Sequence, residues 1–224
     1  MVATQSAGDT PRGALWPGIA GIGSAAFLVT GLMLEFQVPD VSGKDGVLKA
    51  VTHYAQQSNQ DLAEASAWVT LVGGMLFLWF LVALARLAGN RSHLILVGGT
   101  VFAVFIMVSA LAANMYAITA SRSDAFLVIP QTAMISILLL DVAYGALLGA
   151  MLGAAVLLFA LWRVALTTGE LPAWLGWVGF VVAVATLGGP FTAWVTPVAF
   201  ALWILLTSVL LILKSRSGHV DSAT

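Results

Sequence analysis

The stretch Leu138–Trp162, LLLDVAYGALLGAMLGAAVLLFALW, holds a single charged residue, Asp141. A helix crosses the hydrocarbon core of a bilayer with about 20 apolar residues. A segment this long and this apolar leaves no wet face for a helix in a soluble domain. Lipid offers no partner for backbone N–H and C=O groups, so such a span must be helical. Leu138–Trp162 therefore reads as a transmembrane helix, and it sets the reading of the rest.

Outward from it, five more segments have the same character: Leu15–Phe36, Ala65–Leu87, Leu94–Ile118, Ala173–Gly189 and Ala193–Leu213. Composition agrees. Of the 224 residues 60% are hydrophobic and 8% charged, against about 25% charged in soluble domains. The expected fold is all-α: a polytopic membrane bundle of about six transmembrane helices, residues 15–213, between tails 1–14 and 214–224. Residues 1–12 are polar, and the apolar run after them exceeds the core of a signal peptide, so the first span is expected to be retained. High Ala, Gly, Leu and Val, with arginine above lysine, is the usage of a high-GC bacterial chain. The net charge of -1 and the lack of a basic run exclude a nucleic-acid partner. Cysteine is absent, which removes disulfides and thiolate metal sites.

Basic residues set the orientation. With both termini inside, Arg12, Arg86, Arg91, Arg163, Lys214 and Arg216 are cytoplasmic, and Lys44, Lys49 and Arg122 are outside. The six hug helix ends, where the rule has force. The expected location is the cell membrane, with cytoplasmic N- and C-termini. Trp16, Trp68, Trp162, Trp174 and Trp194 fall near span ends, as interfacial anchors do, while Trp79 and Trp203 fall mid-span.

Two connections are long. In Gln37–Glu64, Ser42 to Asp45 resembles a capping box. Val47, Leu48, Val51, Tyr54 and Ala55 then recur at helical spacing. A short amphipathic helix over the outer mouth of the bundle is expected, with a second helix start near Ser58. Asp124–Trp162 is too long for one upright span, and Pro130 offers a break. A short outer helix or re-entrant piece near Ala125–Ile137 is expected before the fourth span, with a single tilted, kinked helix as the alternative. Trp16-x-Gly18-x-x-Gly21 recurs as Trp174-x-Gly176-x-x-Gly179, which reads as shared packing chemistry.

Phosphate-loop, zinc-protease and nucleophile-elbow motifs are absent from the sequence, and His53, His93 and His219 all lie outside the spans. No metal site and no cofactor are expected. The most specific local signal is a stripe at four-residue spacing: Asp141, Gly145, Gly149 and Gly153. Small residues spaced so let helices approach closely in lipid, and the aspartate on that stripe would face protein. An intramembrane carboxylate is a candidate functional group, although Asp141 could instead cap its helix or pair with Arg122. Glu35, Asn114, Tyr116 and Tyr144 are expected at a similar depth, and with Asp141 they are the candidates for an outward-facing pocket.

The segment Leu157–Gly179 ends one helix on Arg163 and opens the next with Gly169-Glu170-Leu171-Pro172-Ala173-Trp174-Leu175-Gly176. It resembles the turn of bacterial six-helix membrane proteins of the domain of unknown function 4386 type. That resemblance implies the six-span plan and carries no activity or site residues. It does not extend to Gln37–Glu64.

Three functions compete. A non-enzymatic binding, sensing or partner-associating module fits the missing catalytic signatures. Its partners would be the bilayer, a lipid-like or small-molecule ligand, and a membrane protein or second copy. A small transporter needs a polar path, yet the cytoplasmic half has few polar residues. An intramembrane enzyme would use Glu35 and Asp141 as acid and base on a lipid-like substrate.

Overall fold

A computed structural model describes the backbone of residues 12–220, apart from 36, 39–40, 42, 90–91, 170 and 194, and the side chains of residues 15–214 with the same gaps. Most of both tails, and also Ser42, Arg91 and Trp194, lie outside the described residues. The rest form an all-α bundle: α1 (Arg12–Glu35), α2 (Gly46–Tyr54), α3 (Gln57–Ala88), α4 (Ser92–Arg122), α5 (Pro130–Thr168), α6 (Ala173–Thr186) and α7 (Thr196–Val220), with a 3-10 turn at Gly189–Phe191.

Five helices, α1, α3, α4, α5 and α7, are long and apolar enough to cross a membrane. The expected span over Ala173–Gly189 is shorter than the others. Its helix, α6, has 14 residues, a rise of about 21 Å against a core of ~30 Å. It stops because Gly189 takes a φ of +56° and Pro190 cannot donate to a continuing helix. The chain makes a 3-10 turn there before α7 begins.

The break expected at Pro130 does not occur, and no separate piece forms over Ala125–Ile137. Pro130 is the first residue of α5, where its missing N–H costs nothing. One helix of 39 residues follows, about 58 Å long. Its antiparallel neighbour α4, 31 residues long, packs along most of it. Along α4 and α5, Gly98 meets Gly153, Ser109 Oγ donates to the Ala143 carbonyl at 2.8 Å, and the Tyr116 hydroxyl meets Thr132 Oγ1 at 3.1 Å. Around this pair, α3 packs on α4, α1 on α3, α7 on α1, and α6 on α5.

The helices enclose two cores. The first lies midway along the spans and is built from aromatic contacts. Phe102 sits 4.8 Å from Phe77 and 4.7 Å from Phe200, centroid to centroid. Leu157, Leu158, Ile204 and Trp203 close it. Trp203 donates its indole N–H to the Leu175 carbonyl at 3.3 Å, while Trp79 faces outward and is exposed.

The second core sits at one end, under α2. Ala50 and Tyr54 of α2 pack with Ala63 of α3, Tyr116 and Ala117 of α4 and Ala133 of α5. The expected amphipathic helix is thus present, with Val47 and Val51 packed against this core. Leu48 and Ala55, expected on the same face, are exposed. Asp45 stands at the N-cap without a side-chain hydrogen bond. The second start is also found, since α3 opens at Gln57, one residue before the expected serine.

The glycine stripe is only partly an interface. A Cβ on Gly153 would lie 2.6 Å from the Phe102 nitrogen and 2.8 Å from the Gly98 carbonyl oxygen, so two backbones cross there. Gly149 faces the Phe105 ring. Gly145 has nothing within 4 Å and is exposed. The cause is geometric. Each four-residue step turns about 40° beyond a full rotation, so Asp141 stands roughly 120° around the helix from Gly153. The repeated Trp-x-Gly-x-x-Gly segments do share a packing role. Gly18 and Gly21 sit against Ile212 and Ser208 of α7, and Gly176 and Gly179 against Ala165 of α5 and Trp203 of α7.

Candidate functional site

A cleft opens among the long helices beside the first core. Its walls are Leu28, Val29, Leu32 and Glu35 of α1, Thr70 of α3, Phe102 and Ile106 of α4, Met151 of α5, and Pro197, Phe200 and Ala201 of α7. It has about 440 Å³ of empty space counting its open mouth.

The α1–α3 seam positions the two polar walls. Gly31 is so close to Thr70 that a Cβ there would stand within van der Waals overlap of Thr70 Oγ1. Ser66 Oγ, one turn away on α3, donates to the Gly31 carbonyl at 3.2 Å and pins the seam. Gly73 continues it against Phe27 and Leu28. Glu35 is four residues beyond Gly31, hence on the same face of α1 and one turn nearer its end. Thr70 and Glu35 thus both line the groove, with the Thr70 hydroxyl itself turned against Gly31.

Neither has a hydrogen-bond or ion-pair partner among the described residues. Thr70 is 4% exposed and its Oγ1 has no hydrogen-bond partner. Glu35 makes no side-chain hydrogen bond or ion pair with the described residues. A buried hydroxyl left unpaired costs about 1–3 kcal/mol, so an unpaired one is a feature to account for. Among the described residues lining the groove, Glu35 is the one that titrates.

The other candidates from the sequence go elsewhere. Asn114 is buried, but its amide donates to Ala110 O of its own helix at 2.8 Å. Tyr116 belongs to the second core. Its ring lies 5.0 Å from Tyr54 and 5.3 Å from Phe126. Asp141 and Tyr144 are exposed on α5 and line no part of the groove. Asp141 has no hydrogen bond or ion pair among the described residues, and Arg122 pairs with Glu64 instead. The expectation that Asp141 is buried near Glu35, Asn114 or Tyr116 is thus corrected, and with it the acid–base pair of Glu35 and Asp141. Thr70 was not anticipated. One threonine in an apolar span carries no signal, and only its position over Gly31 distinguishes it.

At the α2 end, polar chemistry is structural. Asn59 Nδ2 donates to the His53 carbonyl at 2.9 Å and meets His53 Nδ1 at 3.3 Å. Gln60 Nε2 donates to the Tyr54 carbonyl at 2.6 Å. Burial holds His53 below the usual imidazole range. Burial, with Tyr116 alongside, pushes Tyr54 up to about 12. Among the described residues no group of three or more histidine or acidic side chains could hold a metal ion.

Fold and groove together define a class: a helical membrane bundle with a narrow, mostly apolar groove that carries one carboxylate. Comparison with protein families, curated proteins and solved structures gives no match.

Proposed function

We propose that this is a multi-pass cell-membrane protein with both termini in the cytoplasm, working as a binding module through the groove beside Glu35. One observation carries the reading. Glu35, a carboxylate with no hydrogen bond or ion pair among the described residues, lines a groove whose other walls are mostly apolar. Ligand sites have this composition, apolar walls with a few convergent polar groups. The orientation rests on the six-to-three asymmetry of basic residues, and a C-terminal reporter that signals from outside the cell overturns it. Kinship with the family whose turn Gly169–Gly176 resembles is part of the same proposal and brings no activity with it.

The binding reading is tested by native mass spectrometry of the protein extracted in lipid nanodiscs. An apolar molecule should stay bound to the wild type. It should be lost from Ala201→Leu, which fills the groove, and weakened in Glu35→Gln, which removes the charge at constant shape. Retention by both variants, or no bound molecule in the wild type, overturns the reading.

A further inference from the structure

One side of α5 carries an apolar stripe that outruns the bilayer. Met134, Leu138, Val142, Leu152 and Val156 are all exposed, although α4, α6 and α2 pack on α5. At 3.6 residues per turn they fall within about 80° of the helix circumference and form one straight face. Two exposed charges mark where lipid stops along it, Arg163 toward one end and Asp141 toward the other. From one to the other the helix rises about 33 Å, the depth of one hydrocarbon core. Leu152 and Val156 lie between the two charges, where lipid covers them. Met134 and Leu138 lie beyond Asp141 and are 64% and 63% exposed. Water, not hydrocarbon, meets them in a lone copy. A contiguous apolar face past the membrane limit marks a protein contact.

We propose that a second copy of this chain covers this face, the two α5 helices lying side by side about a two-fold axis along the membrane normal. Three features select a second copy. Copies inserted in one orientation carry identical stripes at identical heights, so the part past the bilayer on one copy is covered over its full length by the same part of the other. The five side chains, with Ile135 beside them, expose an area on the order of the ~800 Å² that each partner gives to a standard interface. Charge does not oppose the pairing. Asp141 stands on the edge of the stripe, about 60° from its centre line, and the two-fold axis sets the two carboxylates on opposite sides of the seam. Within the bilayer, Leu152 and Val156 continue the same contact by close packing.

Cysteine is absent from the chain, so single cysteines report the contact directly. The full chain is oxidised in the cell membrane with one cysteine at a time: Leu138→Cys at the centre of the face, Leu48→Cys on α2 or Trp79→Cys on α3, all three positions exposed. A disulfide needs Cα atoms within about 7 Å, and a residue comes that close to its own copy only beside the two-fold axis. Leu138→Cys should give a linked species of twice the chain mass, at about tenfold the yield of the other two. The dimer is then titrated in vesicles of zwitterionic lipid by diluting the protein, with energy transfer between C-terminal fluorophores as the readout. Leu138→Glu should weaken it at least about tenfold, with helical content unchanged. Linkage of Leu138→Cys to a chain of another mass assigns the face to a different partner and overturns the second copy. A wild type that stays monomeric in lipid, equal linkage at all three positions, or a Leu138→Glu dimer as tight as the wild type overturns it as well.

Discussion

The two cores of this molecule are built on opposite principles. The mid-span core gathers Phe77, Phe80, Phe102, Phe200 and Trp203 between helices whose glycines allow backbones to touch. The core under α2 is small, rests on alanines and two tyrosines, and is framed by hydrogen bonds donated by Asn59 and Gln60 and by the Tyr116–Thr132 hydroxyl contact. In lipid the hydrophobic effect does not drive helices together, so association depends on close packing. At the α2 end, α3, α4 and α5 run on past the length a bilayer needs, and α2 covers them. There, ordinary burial of apolar surface and satisfied polar groups are available as sources of stability. The first region should therefore be sensitive to added volume, and the second to lost surface and to pH.

The largest effect is expected at the α4–α5 crossing. In Gly153→Leu the new side chain meets the Phe102 nitrogen and the Gly98 carbonyl, and backbone cannot yield as a flexible side chain does. We expect a loss of about 3 kcal/mol or more in a detergent unfolding titration. Gly145→Leu, two steps along the same stripe, meets open space and should change stability by less than about 0.5 kcal/mol. If both are equally harmful, the stripe is one continuous interface and the helical drift argument is wrong.

A smaller and more local effect is expected at Tyr54→Ala. Tyr54 is 1% exposed, and its ring meets that of Tyr116 at 5.0 Å with a tilt of 57°. Its removal should cost about 2–3 kcal/mol, confined to the α2 end. Hydrogen exchange should speed up in Gly46–Tyr54 and at the start of α5, while protection around Phe77 and Phe102 is unchanged. Loss of protection in both regions would show that the two cores fold as one unit.

The smallest effect concerns pH. Burial lowers the pKa of His53 in the folded cap, so released α2 binds the proton more readily. The stabilisation is complete above the ordinary imidazole value of about 6.5 and declines as pH falls through it toward the folded value. Protonation also removes the lone pair on Nδ1 that Asn59 contacts. Exchange in α2 should quicken modestly between about pH 7.5 and 5.5, with no change at mid-span. His53→Gln should abolish the dependence. A pH response located instead in α4 or α5 at mid-span would place the sensitive group elsewhere.

How much of this was legible beforehand differs between the two regions. The mid-span helices, their lengths and their small residues could be read from an unbroken apolar composition, because lipid leaves the backbone no alternative to a helix. The α2 helix was legible from the spacing of Val47, Val51 and Tyr54, although Leu48 was set on the wrong face. The candidate site was legible at one residue, Glu35. Asn114 and Tyr116 read as site residues because polar groups near a span end suggest function, whereas here they satisfy a helix carbonyl and a cap core.

Sequence alone determined that the chain is an all-helical membrane protein and where most of its helices run, since both follow from the free energy of exposing polar backbone to hydrocarbon, a property of each segment by itself. It also marked Gly153 as a packing position and Glu35 as a carboxylate out of place. Only the tertiary structure decided which polar groups meet. Pro130 opens a helix or breaks one depending on whether α4 and α2 line its extension. Asp141 faces outward because a four-residue repeat drifts around the helix and the crossing with α4 is local. Thr70 becomes part of a site because Gly31, 39 positions earlier in the chain, leaves room for its hydroxyl. Each of these is a relation between helices, set by crossing angle and register, and no single segment encodes it.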